Sequence, residues 1–407
     1  MPEGIDANRA SAAPVSLIVV SHSYPPVLGG SEIEAQRVCA ALIHRGHRVT
    51  VLCAGGPPMP DTSHWLDPAG VPVRIFARRS NGRLKDYAFA LGVAWTLFKE
   101  RRNYQLVYFL MQGVHLAVGL PVARRLGKAI VMKVSGSSIV TIMRSSWMGR
   151  LELRWLQAWA WRVMILNEGM AEEARAAGLE PQRLLWMPNP VDTDAFAPCG
   201  RGRKQEIRAR LDIPAEAAAV IFTGRLASEK ELSSLIGAFE AVVRRMPCAV
   251  LILLGDGPSR GILEERARQL GLSASVRFTG YQPAADIPGW LQASDLFTLV
   301  SSNEGFPCSL VEAMSAGMAC VVSDIPANAQ LIDSGVHGLR VPVGDEACIA
   351  EAIAGLLGDP GSRARMGTAA RLRVIENYST DKVVGRYEAL FEGALRASKA
   401  TNDQARH

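Results

Sequence analysis

Two carboxylates eight residues apart, Glu304 and Glu312, lie in the segment Asn303 to Gly317. The apolar run Leu296 to Val300 predicts a strand before them, and the Ala- and Met-rich stretch after them predicts a helix. Glu304 is then expected in the loop at the carboxyl end of the strand, where parallel sheets bind ligands, and Glu312 in the first helical turn. Pro307 suits that turn, whose backbone N–H groups could bind a phosphate.

Of the two carboxylates, Glu312 also has an interpretation that needs no ligand. Ser309 followed three residues later by Glu312 forms a capping box, and on this segment alone the cap is the preferred interpretation of Glu312. Glu304 stands beside Gly305, has no helix to cap, and loses solvation if it is half buried. We therefore expect a polar partner for Glu304.

Two cationic side chains, Arg225 and Lys230, follow the apolar run Ala219 to Thr223, and an amphipathic helix is predicted from Leu232. Positive charge near the positive end of a helix is unfavourable unless an anion binds there. The two cations therefore predict a bound phosphate. The alternative is a pair of solvated surface cations.

A glycine pair, Gly29 and Gly30, follows the predicted strand Leu17 to Val20. Glycine lets the backbone approach a ligand closely, and Ser31 with Glu34 predicts a second capping box that opens a helix. A merely tight turn explains the glycines equally well.

Two other motifs suggest a ligand less strongly. The turn Leu254 to Gly261 lacks the G-x-G-x-x-G spacing of dinucleotide-binding proteins, Pro258 stiffens it, and no acidic residue ends the next strand. We interpret it as a tight turn between a strand and a helix. Asp192, Thr193 and Asp194 form a D-x-D string, for which a local Asx turn is preferred over a metal site.

Length and composition indicate a soluble, two-domain protein. The chain has 407 residues, of which 48% are hydrophobic and 21% charged. Its seven cysteines form no C-x-x-C pair, which favours a reducing compartment and no structural metal. No signal-peptide pattern and no apolar run of about 18 residues is present, so a cytoplasmic location is expected.

The net charge of +6 is concentrated in the first half of the chain. Residues 1 to 200 contain 22 Lys and Arg against 15 Asp and Glu, and residues 201 to 407 contain 23 against 24. No nucleic-acid-binding pattern accompanies this charge, so an anionic membrane or an acidic small molecule is preferred over nucleic acid. The segment from Arg144 to Arg162 interleaves arginines with Trp147, Trp155, Trp159 and Trp161, which is typical of a helix at a membrane interface. A core helix with snorkelling arginines is an equal alternative.

Ten short apolar runs alternate with segments of helical length, which predicts two doubly wound parallel sheets. The first five runs are Leu17 to Val20, Val49 to Cys53, Val73 to Phe76, Leu106 to Leu110 and Ile130 to Val134. The second five are Ala219 to Thr223, Ala249 to Leu254, Val276 to Thr279, Leu296 to Val300 and Ala319 to Val322. The Pro- and Gly-rich stretch Pro188 to Lys204 is interpreted as the interdomain linker.

Taken together and in this order, these motifs resemble the retaining glycosyltransferases of family 4, whose members have the α/β GT-B fold of two Rossmann-like domains facing across a cleft. The resemblance covers nearly the whole chain. It rests on the Gly29 and Gly30 loop, PNPVDTDAF at 188 to 196, GRLASEK at 224 to 230, LGDGP at 254 to 258, FTGY at 278 to 281, the Glu304 and Glu312 pair, and HGLRVPVGD at 337 to 345. One departure is Gln330, where many relatives have glutamate.

The resemblance implies a flexible N-terminus (1–15), an acceptor-side domain (16–198), a donor-nucleotide-binding domain (199–380) and a C-terminal helix (381–407). That helix is expected to return to the first domain, with Tyr387 as an anchor.

The resemblance also implies residue roles around a nucleotide-diphosphate sugar. Arg225 and Lys230 bind the diphosphate, Glu304 faces the donor sugar, and Glu312 binds the ribose hydroxyls. His115 is implied near the sugar, although Ser135 or Ser137 could hold the same region. The remaining implied donor contacts are Gly29, Gly30, Tyr281 beside the base, Gly305, Phe306, and the N–H groups of Ser309 and Leu310.

The implied reaction is retaining transfer of a hexosyl unit to a glycan or lipid-linked acceptor, without a metal or other cofactor and with peripheral contact to the inner face of an anionic membrane. Two other functions are compatible with two α/β domains: a non-catalytic nucleotide-sugar-binding protein and, less well, an NAD-linked oxidoreductase.

Overall fold

The computed structural model describes residues 13–26, 30–55, 60, 62–76, 83–110, 113–134 and 139–404. The chain divides into two compact units: one extends to Pro190 and resumes at Thr380, and the other is Val191–Ser379. The division therefore precedes the boundary expected at 198/199. Val191 already pairs with Ser379 in the second unit, and the last residues of the predicted linker form the first turn of a helix that begins at Arg201.

The first unit is built on a mostly parallel sheet. Its described strands are β1 (Ser16–Ser21), β2 (Arg48–Cys53), β3 (His64–Leu66), β4 (Pro72–Ile75), β5 (Leu106–Leu110), β6 (Ala129–Lys133), β7 (Arg162–Ile165) and β8 (Leu184–Trp186). They lie in the order β3-β4-β2-β1-β5-β6-β7-β8, and only the β3–β4 pair is antiparallel among them. The five strands predicted from apolar runs in this half are confirmed, whereas β3, β7 and β8 were missed.

The helices described before the second unit are α1 (Gly30–His44), α2 (Arg83–Lys99), α3 (Val114–Arg125), α4 (Ile139–Ser145), α5 (Trp147–Trp159) and α6 (Glu168–Ala176). A 3-10 turn, Pro181–Arg183, leads into β8. None of the helices in the described ranges combines the length and the apolar character needed to cross a bilayer.

The second unit contains a parallel sheet of β9 (Ala218–Thr223), β10 (Ala249–Leu254), β11 (Val276–Gly280), β12 (Leu296–Leu299), β13 (Cys320–Ser323) and β14 (Gly338–Val341), in the order β11-β10-β9-β12-β13-β14. The five predicted strands are confirmed, and β14 was missed. The helices are α7 (Arg201–Arg210), α8 (Leu232–Arg245), α9 (Arg260–Gln269), α10 (Ile287–Ala293), α11 (Cys308–Ser315), α12 (Pro326–Ala329), α13 (Glu346–Gly358) and α14 (Pro360–Asn377).

Both sheets have a topological switch point beside their first strand. In the first unit β1 lies between β2 and β5, and in the second unit β9 lies between β10 and β12. The chain leaves the first strand toward one side and later returns to its other side. The loops at the carboxyl ends of these adjacent strands therefore diverge and leave a crevice, which is where open α/β sheets bind ligands.

The last helix, α15 (Thr380–Gln404), packs in the first unit through a buried polar cluster. Tyr387, which is fully buried, donates a hydrogen bond to Glu34 Oε1 at 2.9 Å. Lys133 Nζ donates to the same oxygen at 2.7 Å and to Asn189 Oδ1 at 2.8 Å. The hydroxyl of Tyr108 lies 3.1 Å from that of Tyr387. The hydrogen bonds of Tyr387 and Asn189 offset part of the cost of burying this charge pair, while Glu34 Oε2 is buried and makes no hydrogen bond within the described residues.

This cluster corrects the capping box predicted from Ser31 and Glu34. Helix α1 begins at Gly30, so Ser31 is its second residue and not its N-cap. The Glu34 carboxylate is 2% exposed and is paired with Lys133. A tertiary ion pair has therefore taken the side chain that the local pattern assigned to the helix terminus.

The Trp/Arg segment comprises the end of α4, helix α5 and the first residue of β7, and three of its four tryptophans are partly buried. Trp155 and Trp159 stack on each other with ring centroids 5.2 Å apart, and the Arg162 guanidinium lies over the Trp161 ring at 4.3 Å. Trp147 is the exception, at 72% exposed. On its inner face α5 carries Glu152, whose Oε1 is buried and makes no hydrogen bond within the described residues.

Burial raises the pKa of Glu152 to about 7 from 4.5. A carboxyl group whose folded pKa is raised gives its full stabilisation below the unfolded pKa and loses it as the pH rises through the folded pKa. The free energy of unfolding of the wild type is therefore expected to fall by about 2 kcal/mol as the pH rises from about 5.5 to about 8. Glu152→Gln cannot ionise and should not show this fall. Urea unfolding followed by tryptophan fluorescence measures this, since seven of the eight tryptophans precede Pro190. Parallel pH profiles for both proteins would contradict the assignment.

Candidate active site

An ion pair joins the two loops at the switch point of the second unit. Lys230, at the end of the 3-10 turn Ser228–Lys230 after β9, places its Nζ 2.7 Å from Glu304 Oε1 in the loop after β12. The two side chains are 17% and 10% exposed. Ser301 Oγ donates to the same carboxylate oxygen at 2.7 Å. The polar partner expected for Glu304 is thus confirmed, and the sequence did not identify it as Lys230.

Backbone and buried side chains hold this pair in place. The Ser302 N–H donates to Glu229 O at 2.9 Å, which ties the loop after β12 to the 3-10 turn. Behind it, the Ser323 hydroxyl donates to Ser301 O, and Asn328 Nδ2 donates to Ser323 O at 2.9 Å. Ser301, Ser323 and Asn328 are fully buried. The Glu304 carboxylate is therefore fixed by a chain of hydrogen bonds that reaches β13 and α12.

Arg225 is held much more loosely. Its guanidinium is 67% exposed and lies 2.7 Å from Glu229 Oε1, four residues later. An exposed pair of this kind contributes about 0–1 kcal/mol, so a ligand can draw Arg225 away at little cost.

These contacts correct the charge argument made from sequence. Lys230 and Arg225 each have a carboxylate partner within the chain, so their positive charge near α8 does not by itself require a bound phosphate. The Lys230 ammonium has three donor hydrogens, and one bond to Glu304 leaves the others able to reach a second anion. The pair is therefore compatible with a bound phosphate.

Helix α11 begins two residues earlier than the capping box requires. Cys308 is its first residue and Pro307 its N-cap, with no side-chain cap hydrogen bond. Ser309 is consequently the second helical residue and Glu312 lies beyond the first turn, so the capping-box interpretation is wrong. The Leu310 N–H donates to Pro307 O at 3.0 Å, which removes it from the expected phosphate cradle. The Ser309 N–H makes no hydrogen bond within the described part of the chain and stays a candidate donor.

The remaining predicted donor contacts in this unit lie near strand ends. Gly305 and Phe306 are half-buried between Glu304 and α11, and the Phe306 ring packs at 6.2 Å from the Tyr378 ring. Tyr281 directly follows β11 and is 58% exposed. Asp192 Oδ1 accepts hydrogen bonds from the N–H groups of Asp194 and Ala195 at 3.1 and 2.9 Å, which confirms the Asx turn. No cluster of three metal-ligating side chains was found in the described ranges.

Close backbone packing explains the glycines that follow β9 and β10. Gly255 has φ +141° and donates its N–H to Gly280 O at 3.0 Å. A Cβ on Gly255 would lie 1.9 Å from Gly224 O, and one on Gly257 would lie 2.4 Å from Leu226 O. These glycines bring the two loops into contact with each other, which supports a tight turn over a dinucleotide fingerprint.

In the first unit, His115 lies at the switch point between β1 and β5. It is the second residue of α3 and is 1% exposed, and its ring packs 5.1 Å from that of Phe89. Of the other residues proposed here, Gly30 is the first residue of α1, whereas Gly29, Ser135 and Ser137 lie outside the described residues.

Sequence reasoning missed a second histidine at this point. His22 directly follows β1, its Nε2 lies 2.9 Å from Asp86 Oδ1, and its ring centroid is 6.3 Å from that of His115. Asp86 is on α2, 64 residues away, so no local spacing could have shown the pair.

Gly255→Ala is expected to destabilise the second unit by about 2–5 kcal/mol, because the new Cβ meets a carbonyl oxygen and the backbone angle is strained for alanine. Gly261→Ala is the matched control. Gly261 is the second residue of α9 with no heavy atom within 4 Å of an added Cβ, so this change should be neutral or stabilising by about 0.5–1 kcal/mol. Melting monitored by circular dichroism compares the two. Equal melting temperatures would show that the Gly255 contact is not needed.

Comparison with known proteins identifies the family to which the chain belongs. Residues 29–190 match the glycosyl transferase 4-like domain, and residues 203–373 match glycosyl transferases group 1. The lipopolysaccharide core biosynthesis glycosyltransferase LpsE of Rhizobium meliloti is 33% identical over 189 residues, which are 46% of this chain and 54% of LpsE. An Escherichia coli UDP-Gal:alpha-D-GlcNAc-diphosphoundecaprenol alpha-1,3-galactosyltransferase is 25% identical over 346 residues, covering 81% of this chain and 85% of that enzyme. The chain spans about half the length of several curated relatives that it matches, LpsE among them.

Solved structures share the fold. Anabaena Alr3699/HepE, crystallised with UDP and glucose, superposes with a TM-score of 0.75 at 21% identity, over 91% of this chain and 97% of HepE. WaaG, a glycosyltransferase involved in lipopolysaccharide biosynthesis, superposes with a TM-score of 0.70 at 16% identity, over 91% and 98%. The expected fold class is confirmed. The chain has two α/β units, each built on a parallel or mostly parallel sheet, and two family models together match most of its length. It belongs to the group 1 glycosyltransferases and has the GT-B fold.

Proposed function

We propose that this protein transfers a hexosyl unit from a nucleotide-diphosphate sugar to a glycan or lipid-linked acceptor, with retention of the anomeric configuration and without a metal. The observation that carries the proposal is the Lys230–Glu304 pair, because it joins a cation and a carboxylate at the switch point where an open α/β sheet binds its ligand. Family membership supports the reaction class, and the HepE complexes with UDP support a nucleotide-sugar donor.

Stabilisation of the leaving group is the main catalytic task. Breaking the bond between sugar and diphosphate builds negative charge on the departing phosphate while the sugar becomes oxocarbenium-like. Lys230, Arg225 and the Ser309 N–H at the start of α11 are the donors proposed to meet that charge. Donors that are already oriented need little reorganisation during the reaction and can contribute several kcal/mol.

Glu304 is proposed to position the sugar and not to attack it. Its Oε1 accepts hydrogen bonds from Lys230 and Ser301, so the carboxylate is held between the proposed phosphate site and the buried serine. A carboxylate in that position can accept a hydrogen bond from a sugar hydroxyl. Glu312 is proposed to bind the ribose and the backbone near Tyr281 the base, as the family resemblance implies.

Retention is proposed to follow from attack on the face of the sugar that the diphosphate leaves. The acceptor hydroxyl forms the new bond to the anomeric carbon as the bond to the phosphate oxygen breaks, and its proton passes to that oxygen. His115, in the first unit, is proposed to contact the transferred sugar, and the first unit to bind the acceptor.

A membrane-associated acceptor is proposed from the distribution of charge and from the relatives. The first half of the chain holds the basic excess. LpsE is named for lipopolysaccharide core biosynthesis, and the name of the E. coli relative specifies a diphosphoundecaprenol-linked sugar. Assembly of a cell-envelope glycan at the cytoplasmic face of the membrane is the role proposed here.

Nucleotide binding tests the diphosphate site. In a thermal-shift panel of nucleoside diphosphates and their sugars, the best ligand should raise the melting temperature, because it binds the native state only. Lys230→Ala and Arg225→Ala are each expected to weaken that ligand by about tenfold to a hundredfold, the loss of one charge-assisted hydrogen bond.

Arg245→Ala is the matched control, since Arg245 is an exposed cation of the same unit that pairs with Glu351. It should bind as the wild type does. Nucleotide binding that is unchanged in both site variants would refute the diphosphate assignment.

An NMR spectrum of the product showing the anomeric configuration inverted would refute retention, and loss of activity in EDTA would refute metal independence.

A further inference from the structure

Helix α2 carries an exposed apolar stripe along its whole length. Leu84, Tyr87, Leu91, Trp95 and Phe98 follow each other at steps of three or four residues, and each is between 52% and 75% exposed. The opposite face of the same helix carries the buried residues Phe89, Ala90, Val93 and Leu97, and α2 packs against α3. A helix that is apolar on both sides needs a second apolar partner, because water is a poor solvent for the outer stripe.

The charges around the stripe are predominantly positive. Asp86 is paired with His22, and Glu100 is paired with Arg74. By contrast, Lys85, Lys99, Arg101 and Arg102 make no ion pair within the residues that the structure describes. The Arg101 guanidinium lies 4.6 Å above the Phe98 ring, so cation and aromatic ring occupy the same surface.

The positive charge extends from α2 to the neighbouring helix end. Lys128, just after α3, donates to Arg101 O and, at 2.7 Å, to Tyr104 O, which brings the carboxyl ends of α2 and α3 together. Helix α3 ends at Arg124 and Arg125, both exposed. No acidic residue occurs between Glu100 and Glu152, whereas eight Lys and Arg do.

We infer that the α2 stripe, Leu84 to Phe98 with the basic residues at its end, is the surface by which this protein docks on an anionic lipid bilayer. Aromatic and aliphatic side chains on one helix face, flanked by Lys and Arg, suit the boundary between acyl chains and charged headgroups. The proposed lipid-linked acceptor gives this surface a biological purpose, and in that respect the inference rests on the proposed function. The surface itself is inferred from the exposure and charge of α2.

Charge complementarity decides between occupants. A second copy docked through the same stripe in a symmetric dimer, with the two helices antiparallel, would bring Arg101 and Arg102 of each copy toward the Lys85 end of the other, and this like-charge contact is unfavourable. Anionic headgroups neutralise these cations while the stripe enters the apolar layer.

The same observations assign the membrane contact to α2 and not to the Trp/Arg segment of α5. Trp155 and Trp159 cover each other, and α5 turns Glu152 inward. Trp147 is the one tryptophan of that segment that is largely exposed, so it serves as a separate test.

The experiment is flotation of the full chain with vesicles of phosphatidylcholine alone or mixed with phosphatidylglycerol. The wild type should bind the mixed vesicles at about 0.1 M salt and be released at about 1 M salt, where the Debye length falls to about 3 Å. The variant Leu91→Ala/Trp95→Ala/Phe98→Ala should bind at least about tenfold more weakly, since three of the inserted side chains are lost. Alanine retains the helix.

Two further variants make the result specific. Ile262→Ala/Leu372→Ala removes exposed apolar side chains from the second unit, and Trp147→Ala removes the exposed tryptophan near α5; both should bind as the wild type does. Melting temperature and nucleotide binding are measured for every variant, and both should match the wild type. A folded stripe variant that floats normally would overturn the inference, as would a wild type that binds neither vesicle. Loss of a dimer in the stripe variant, without any vesicle binding, would identify the stripe as a contact between copies and also overturn it.

Failure here is distinguishable from failure of the proposed function. Nucleotide binding depends on the second unit and is measured without lipid. If the protein bound vesicles while Lys230→Ala and Arg225→Ala bound nucleotide as the wild type does, the docking surface would be supported and the donor site refuted.

Discussion

The contact between Lys230 and Glu304 is the interaction on which the candidate site depends. It bridges the loops after β9 and β12, the two adjacent strands at which the chain changes direction across the sheet. Because the loops diverge at such a point, side chains from both can reach a ligand there. The ion pair sets how the two loops sit relative to each other, and the Ser302 N–H reinforces it by bonding to Glu229 O.

Support for this pair comes from parts of the second unit that contact no proposed ligand. Asn328 and Ser323 hold the backbone of Ser301, which in turn donates to Glu304. Gly255 lets the loop after β10 lie against Gly224 and so fixes the loop that carries Arg225. A site arranged in this way is oriented before any ligand arrives, which is the condition for electrostatic stabilisation of a leaving group. Arg225, exposed and weakly paired, is the one cation of the site that can move at little cost.

Sequence predicted the fold well where the strands are continuous apolar runs, since burial on both faces leaves that pattern. It failed for β3, which is half exposed, and for β14, which contains Arg340. Both predicted capping boxes were wrong, for different reasons. The first failed because a local pattern does not reveal that Glu34 pairs with Lys133, 99 residues away. The second failed because α11 begins at Cys308, so Ser309 is not its N-cap. Lys230 and Glu304 were each identified as site residues, but their contact spans 74 residues and depends on the strand order, so sequence spacing could not show it. The stripe on α2 was missed for the same reason, because its apolar residues look like a core face until the packing against α3 is known.

A crystal structure of the protein soaked with its sugar nucleotide tests the central claim most directly. The account predicts the diphosphate within hydrogen-bonding distance of Lys230 Nζ and the Ser309 N–H, with a sugar hydroxyl on the Glu304 carboxylate. A diphosphate bound away from the loops after β9 and β12, with the Lys230–Glu304 pair contacting no part of the donor, would contradict it.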